Sequence, residues 1–165
     1  MKKYIWLLAV SGFLIALDQV IKLYVHTHFH LGESVVVIPN LFNLTYVRNF
    51  GAAFGFLAES HPAFREMFFL TMPPIALIII LIILRGVKET DTRQIVALSS
   101  IFGGAIGNYI DRLRFRYVID FADFHLSNGW SWPAFNIADM AIVGGVGMLL
   151  LVMFFENKKK EKAAA

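Results

Sequence analysis

From Met67 to Leu84 the chain carries no charged residue, and a second such run covers Gln94 to Ile110. Crossing the hydrocarbon core of a membrane takes roughly 20 mainly apolar residues, and every backbone polar group inside it needs a partner within the protein. Four segments meet the length requirement, at about 4–25, 67–84, 94–112 and 135–155. Asp18 and Lys22 interrupt the first, Met72-Pro73-Pro74 predicts a kink in the second, and Asp139 falls near the start of the fourth. The apolar stretch after Met1-Lys2-Lys3 continues through Asp18 and Lys22, so it reads as a span rather than a cleaved signal peptide.

Only 16% of the residues are charged, against about a quarter in soluble domains. Those charges gather at segment ends. The chain has no cysteine, which excludes disulfides, a thiol nucleophile and a thiolate metal site. The net charge of +3 includes a C-terminal cluster, Lys158, Lys159, Lys160 and Lys162. It suits an anionic membrane surface. No basic stripe with interleaved aromatics points to nucleic acid.

Lysine and arginine placement predicts the orientation. Lys2, Lys3, Arg85, Lys88, Arg93 and the C-terminal lysines fall on one side, and Arg48, Arg65, Arg112, Arg114 and Arg116 on the other. Both termini are therefore expected in the cytoplasm, with loops 26–66 and 111–134 outside. Three arginines at the start of the second outer loop suggest a local role.

The first outer loop is too long for a simple connection. Ser34 to Ile38 has strand composition. Leu41 to Val47 alternates, with Phe42, Leu44 and Tyr46 on one face, and Pro39-Asn40 reads as the turn between them. Ala52 to Ala58 is expected to form a short interfacial helix. The expectation is an all-α membrane protein of one domain, 1–165. It has four transmembrane helices, a small extracytoplasmic β-sheet platform and a short interfacial helix.

Several polar residues sit where apolar ones would be cheaper. Ionisable groups near hydrocarbon are costly and usually functional. Asp18 and Lys22 are four apart and share a helix face, acid before base. Gly103 and Gly107 form a small-xxx-small pair that lets helices approach, and Arg112 offers a fixed fork of donors; packing glycines with an interfacial arginine do not explain Asn108, one turn inside. Asn136 and Asp139 also share a face, at a helix start that favours negative charge. Two carboxylates brought together cannot both ionise easily, and such a pair can act as general acid and general base, the chemistry of an aspartic protease. Asp111, Asp120 and Asp123 all lie in the second outer loop, and spacing does not say which of them partners Asp139.

Other chemistries fare worse. His26, His28 and His30 would share a face of an extended strand, but an interfacial loop suits them better than a metal site. The chain has no His-Glu-x-x-His and no phosphate-cradling Gly-Lys-Ser/Thr. Ser99 and Ser100 have no histidine nearby in sequence and read as helix-packing residues.

Taken together, the motifs resemble those of the lipoprotein signal peptidases, or signal peptidase II, of bacterial cytoplasmic membranes. The resemblance rests on Asp18-Gln19-x-x-Lys22, Asn49-x-Gly51-x-Ala53-Phe54, and Gly103-Gly104-Ala105-x-Gly107-Asn108-x-x-Asp111-Arg112. Val118-x-Asp120-Phe121 and Phe135-Asn136-x-Ala138-Asp139 complete it. Five motifs in order, nearly end to end, make it specific. It implies an aspartic endopeptidase that cleaves prolipoproteins just before a diacylglyceryl-modified cysteine. Asp120 and Asp139 would be catalytic. Asn49, Gly51, Asn108, Arg112 and Asn136 would bind substrate or shape the site, with Asp18 and Lys22 as structural support. It also implies an inner-membrane location with the site near the outer face, contact with membrane lipids, no cofactor or metal, and sensitivity to globomycin-type cyclic peptides, hence an antibiotic target.

A small transporter using Asp18, Lys22, Asp120 and Asp139 as a polar path would spread ionisable groups through the membrane depth. Here they gather near one face. A non-catalytic membrane scaffold would leave Asp120 and Asp139 dispensable.

Overall fold

The computed structural model describes residues 1–51, 57, 59–126, 129 and 131–164. The elements in chain order are α1 (Lys2–His28), β1 (Ser34–Ile38), β2 (Phe42–Asn49), α2 (Pro62–Gly86), α3 (Thr92–Phe115), β3 (Val118–Phe124) and α4 (Ile137–Ala164). The chain is mostly helical, with one small antiparallel sheet in the order β1-β2-β3. The expected interfacial helix, Ala52 to Ala58, lies outside the described residues apart from Leu57.

Three helices are long and apolar enough to cross a membrane: α1, α2 and residues 137–158 of α4. Their apolar side chains point outward, as Ile78 and Ile82 do on α2 and Val143 and Leu150 on α4. This is the pattern expected where lipid, rather than water, meets the surface. α2 begins at Pro62, ahead of the expected start at Met67, because proline at the first helical turn is preset for helix and lacks only an N–H that would be unpaired anyway. It stays helical across Pro73 and Pro74.

α3 is different. Gln94, Ser99, Ser100, Asn108 and Asp111 make it more polar, and its buried face includes Ser99, Asn108 and Asp111. It packs between α1 and α4 at very short range. A methyl group on Gly103 would lie 2.9 Å from the Ser11 Cα of α1, and one on Gly104 would run into the Ala138 carbonyl of α4. Gly145 of α4 returns the fit: a methyl there would lie 2.7 Å from the Ala97 carbonyl. Where lipid supplies no hydrophobic drive between helices, such contacts supply the packing.

The two ends of the bundle are fastened differently. At the N-terminal end, Leu7, Ile80, Leu84, Val87, Ile95 and Leu98 form an apolar cluster. Lys3 Nζ donates to the Arg85 and Val87 carbonyls at 2.7 and 2.9 Å, capping the C-terminus of α2. At the other end the sheet packs on α1 through Val25, Tyr46, Ile119, Phe121 and Ala122. Phe42 and Leu44 join Tyr46 there, on the face their alternation predicts. Asn40 takes a left-handed conformation (φ 60°) in the β1–β2 turn, which asparagine tolerates.

The expected sheet has one strand more than the two read in the first outer loop: the connection between α3 and α4 contains β3, paired with β2 and almost wholly buried. One expectation is corrected. The histidines do not share a strand face: α1 runs on through His26 and His28, and His26 Nδ1 meets the Tyr46 hydroxyl at 2.6 Å.

Candidate active site

β3 carries Asp120 into the interior, where it is 2% exposed. The strand is held on both sides. β2 pairs along one edge, Asn49 opposite Val118 and Val47 opposite Asp120, and the Phe135 carbonyl accepts from the Phe121 and Ala122 amides on the other. Asp123 lies three residues on, beside His125 at 3.6 Å and away from Asp120's neighbours.

Asp139 sits in the first turn of α4. Asn136 caps this helix: its Oδ1 accepts from the Asp139 amide at 2.9 Å, and Asp139 Oδ2 accepts from the Asn136 amide at 3.3 Å. This reciprocal pair satisfies helix-start donors as a capping box does, and it locks the Asp139 side chain. The other end of Asn136 reaches β3, its Nδ2 donating to Asp120 Oδ1 at 2.6 Å and to the Ile119 carbonyl at 3.3 Å. One buried asparagine thus joins the two aspartates.

Each carboxylate has a second amide partner. Asn49 Nδ2 donates to Asp120 Oδ2 at 3.0 Å while Asn49 Oδ1 accepts from the Gly51 amide at 2.9 Å. Asn108 Nδ2 donates to Asp139 Oδ1 at 2.8 Å. Arg112 Nη2 donates to the Gly51 carbonyl at 3.1 Å and Nη1 to the Asn108 carbonyl at 3.3 Å, and the guanidinium lies 4.5 Å from the Phe69 ring centroid. Asn49, Gly51, Asn108, Arg112 and Asn136 therefore all converge around Asp120 and Asp139. Burial, and then the nearby charge of Asp139, push the Asp120 carboxyl up to about 7, against the opposing hydrogen bonds from Asn49 and Asn136.

Asp18 and Lys22 lie behind this layer. Lys22 Nζ is 2.8 Å from Asp18 Oδ2 and 2.9 Å from Asp111 Oδ2, with all three side chains 1% exposed. Asp111 is thus the partner of Lys22, not of Asp139. Gln19 joins them by donating to Asp111 Oδ1 at 2.9 Å. The parts of Gln19 and Asp111 were missed in the sequence; the pairing needs α1 and α3 side by side, and only their polarity hinted at it.

The two aspartates open onto a cleft of about 980 Å³. Its polar floor includes Asn49, Asn108 and Arg112. Its walls are apolar, from Phe68, Phe69, Met72 and Ala76 of α2 to Met140, Ile142 and Val143 of α4. Among the described residues no group of three or more His, Asp or Glu side chains converges as metal ligands.

The family model described as signal peptidase (SPase) II matches residues 10–155. The chain belongs to the signal peptidase II family. Membership makes it a peptidase, and so a hydrolase. Proteins named lipoprotein signal peptidase from Syntrophus aciditrophicus (strain SB) and Haemophilus ducreyi (strain 35000HP / ATCC 700724) are each 45% identical to it. The alignments cover 98% of this chain and 99% of the first relative, and 96% and 94% for the second. A solved bacterial membrane enzyme, 32% identical, superposes with a TM-score of 0.81 over 93% of this chain and 90% of its own. A second, 31% identical, gives 0.79 over 89% and 91%. With its apolar helices, this signal peptidase II family member is a multi-pass membrane protein.

Proposed function

We propose that this chain is an aspartic endopeptidase that removes signal peptides from prolipoproteins, cutting before a diacylglyceryl-modified cysteine, with Asp120 and Asp139 as its catalytic dyad. The observation that carries the reading is the convergence of two carboxylates, bridged by Asn136, on the floor of an apolar cleft. The relatives' name supplies the substrate class.

The dyad works with one carboxyl protonated and the other ionised, and burial favours the proton's residence on Asp120. The ionised partner takes a proton from a water that attacks the scissile carbonyl carbon, while the protonated one donates to the carbonyl oxygen. The tetrahedral intermediate then breaks its C–N bond, and the cysteine amine leaves with a proton returned by the dyad. The signal peptide keeps the new carboxyl group. No metal or cofactor takes part. Asn49, Asn108 and Asn136 hold the carboxylates, Arg112 and Gly51 shape the wall, and Asp18 and Lys22 support them.

The apolar walls suit the diacylglyceryl chains, so the bilayer supplies proximity by holding the scissile bond at the depth of the dyad. In this reading α3 is a fourth span, sheltered from lipid by α1 and α4, and residues 1–165 act as one peptidase unit in a bacterial inner membrane. Both termini are cytoplasmic and the sheet rests on the outer face. Globomycin-type cyclic peptides would occupy the cleft, making the protein an antibiotic target.

The test is cleavage of a purified diacylglyceryl-modified prolipoprotein in detergent with chelator present. The parent cuts before the lipidated cysteine, and Asp139→Asn is folded and inert. Normal cutting by the variant would overturn the dyad, and a folded parent that cuts nothing would favour transport or scaffolding.

A further inference from the structure

The cluster behind the dyad is more ordered than ion pairing alone requires. Lys22 has three N–H donors, and each has one acceptor: Asp18 Oδ2 at 2.8 Å, Asp111 Oδ2 at 2.9 Å and Asn108 Oδ1 at 2.9 Å. Each acceptor leads to the dyad. Asp18 Oδ1 accepts the Ala138 amide at 2.9 Å, one residue before Asp139. Asp111 Oδ2 accepts the Ile119 amide at 3.1 Å, one residue before Asp120. Asn108 gives its Nδ2 to the Asp139 carboxylate.

We propose that Lys22 is a positioning residue for the dyad, acting through the amide of Asn108 and through the two carboxylates that tether the backbones of β3 and α4. The inference rests on the reading of Asp120 and Asp139 given above. Asn108 stands between an ammonium and a carboxylate, and one orientation alone satisfies both: oxygen toward Lys22, NH₂ toward Asp139. Reversed, it would set NH₂ against the ammonium and oxygen against the carboxylate. Lys22 thereby ensures that Asp139 always meets a donor.

A whole buried ion cluster can often be replaced by apolar residues of similar volume without loss of stability, whereas removing one partner leaves the others uncompensated. Stability alone therefore does not call for charges at these positions, and what this cluster adds is the fixing of three tethers from one point.

The test is a double-mutant cycle on the full chain in detergent, with the lipidated prolipoprotein as substrate and thermal unfolding measured alongside. Lys22→Met is expected to lower kcat about 10²-fold, the scale of a misplaced catalytic group, with KM within about twofold of the parent. Asn108→Ala should lower kcat in the same way. The double variant should lose less than the product of the two single losses, because Lys22 acts in part through Asn108. Multiplying losses, or a Lys22→Met that unfolds earlier with kcat intact, would overturn the proposal. Should Lys22→Met not fold, Lys22→Gln replaces it in the cycle, since its two N–H donors cannot serve three acceptors. Asp139→Asn separates the two readings. If it cuts like the parent, the dyad itself is wrong; if it is inert while the losses multiply, the positioning role alone fails.

Discussion

Asp120 is a carboxylic acid in surroundings that favour its neutral form. Its carboxyl is pushed up to about 7, above its ordinary range near 4, chiefly by burial. Below about pH 4 the group is protonated whether the chain is folded or not, and it contributes no penalty. As pH rises toward 7 the unfolded chain ionises while the folded one keeps its proton, so stability falls across that window and levels off above it. The full loss is on the order of 4 kcal/mol. The apparent Tm in detergent should therefore fall between about pH 4 and 7, and Asp120→Asn should flatten that slope. A parent whose Tm stays flat across the window, and is unchanged in slope by Asp120→Asn, would show that Asp120 is ionised throughout. At this scale much was legible in the sequence. Asn108, Asn136 and Asp139 stood out because each sits in or beside an apolar run where a polar side chain needs a reason. Asp111 was equally visible, but its partner was not. Its ion pair with Lys22 joins residues of two helices, and no local spacing encodes that contact.

Between α1 and α4, α3 works as a spacer whose thickness is set by glycines. A methyl group at Gly104 would collide with the Ala138 carbonyl, a backbone atom that cannot turn aside. It could be accommodated only by moving the start of α4, which carries Asp139. Gly104→Ala should therefore lower both Tm and cleavage. Gly147, where an added methyl would meet nothing within 4 Å, makes the matched control. Gly147→Ala should be neutral or stabilise by up to about 1 kcal/mol through helix propensity. Equal behaviour of the two variants in cleavage and melting would refute this account of α3. The helices were legible because their signal is local: length and lack of charge. β3 was not. Its sequence, Val118 to Phe124, alternates no more than a loop could, and its pairing partner β2 comes from the other side of two helices. α2 hid its true start because Pro62, Arg65 and Glu66 do not look apolar, although Pro62 suits a first helical turn.

Across the whole molecule, the positive charges divide between the two ends, but they are not equivalent. At the sheet end the arginines are engaged locally. Arg112 binds carbonyls in the site, Arg116 pairs with Glu66 at 2.8 Å, Arg48 lies over the Tyr46 and Tyr117 rings, and Arg65 lies over Phe50. Their presence blurs the lysine and arginine bias, because they serve contacts as well as orientation. At the other end Lys2, Arg85, Lys88 and Arg93 surround the N-terminus and the α2–α3 connection. The proposed orientation puts that end in the cytoplasm, with the cleft facing the outer leaflet, where the lipidated cysteine would arrive. The absence of cysteine makes this directly measurable, since any single introduced cysteine is unique. Ser34 on β1 and Thr90 in the α2–α3 connection are both exposed and mark opposite ends. In intact bacterial cells whose outer envelope admits the reagent, a membrane-impermeant maleimide should label Ser34→Cys at once. Thr90→Cys should be labelled only after the inner membrane is opened. The reverse pattern would turn the cleft toward the cytoplasm, away from the leaflet where the substrate's scissile bond is held, and the proposed route of substrate to Asp120 and Asp139 would be wrong even if both aspartates proved essential.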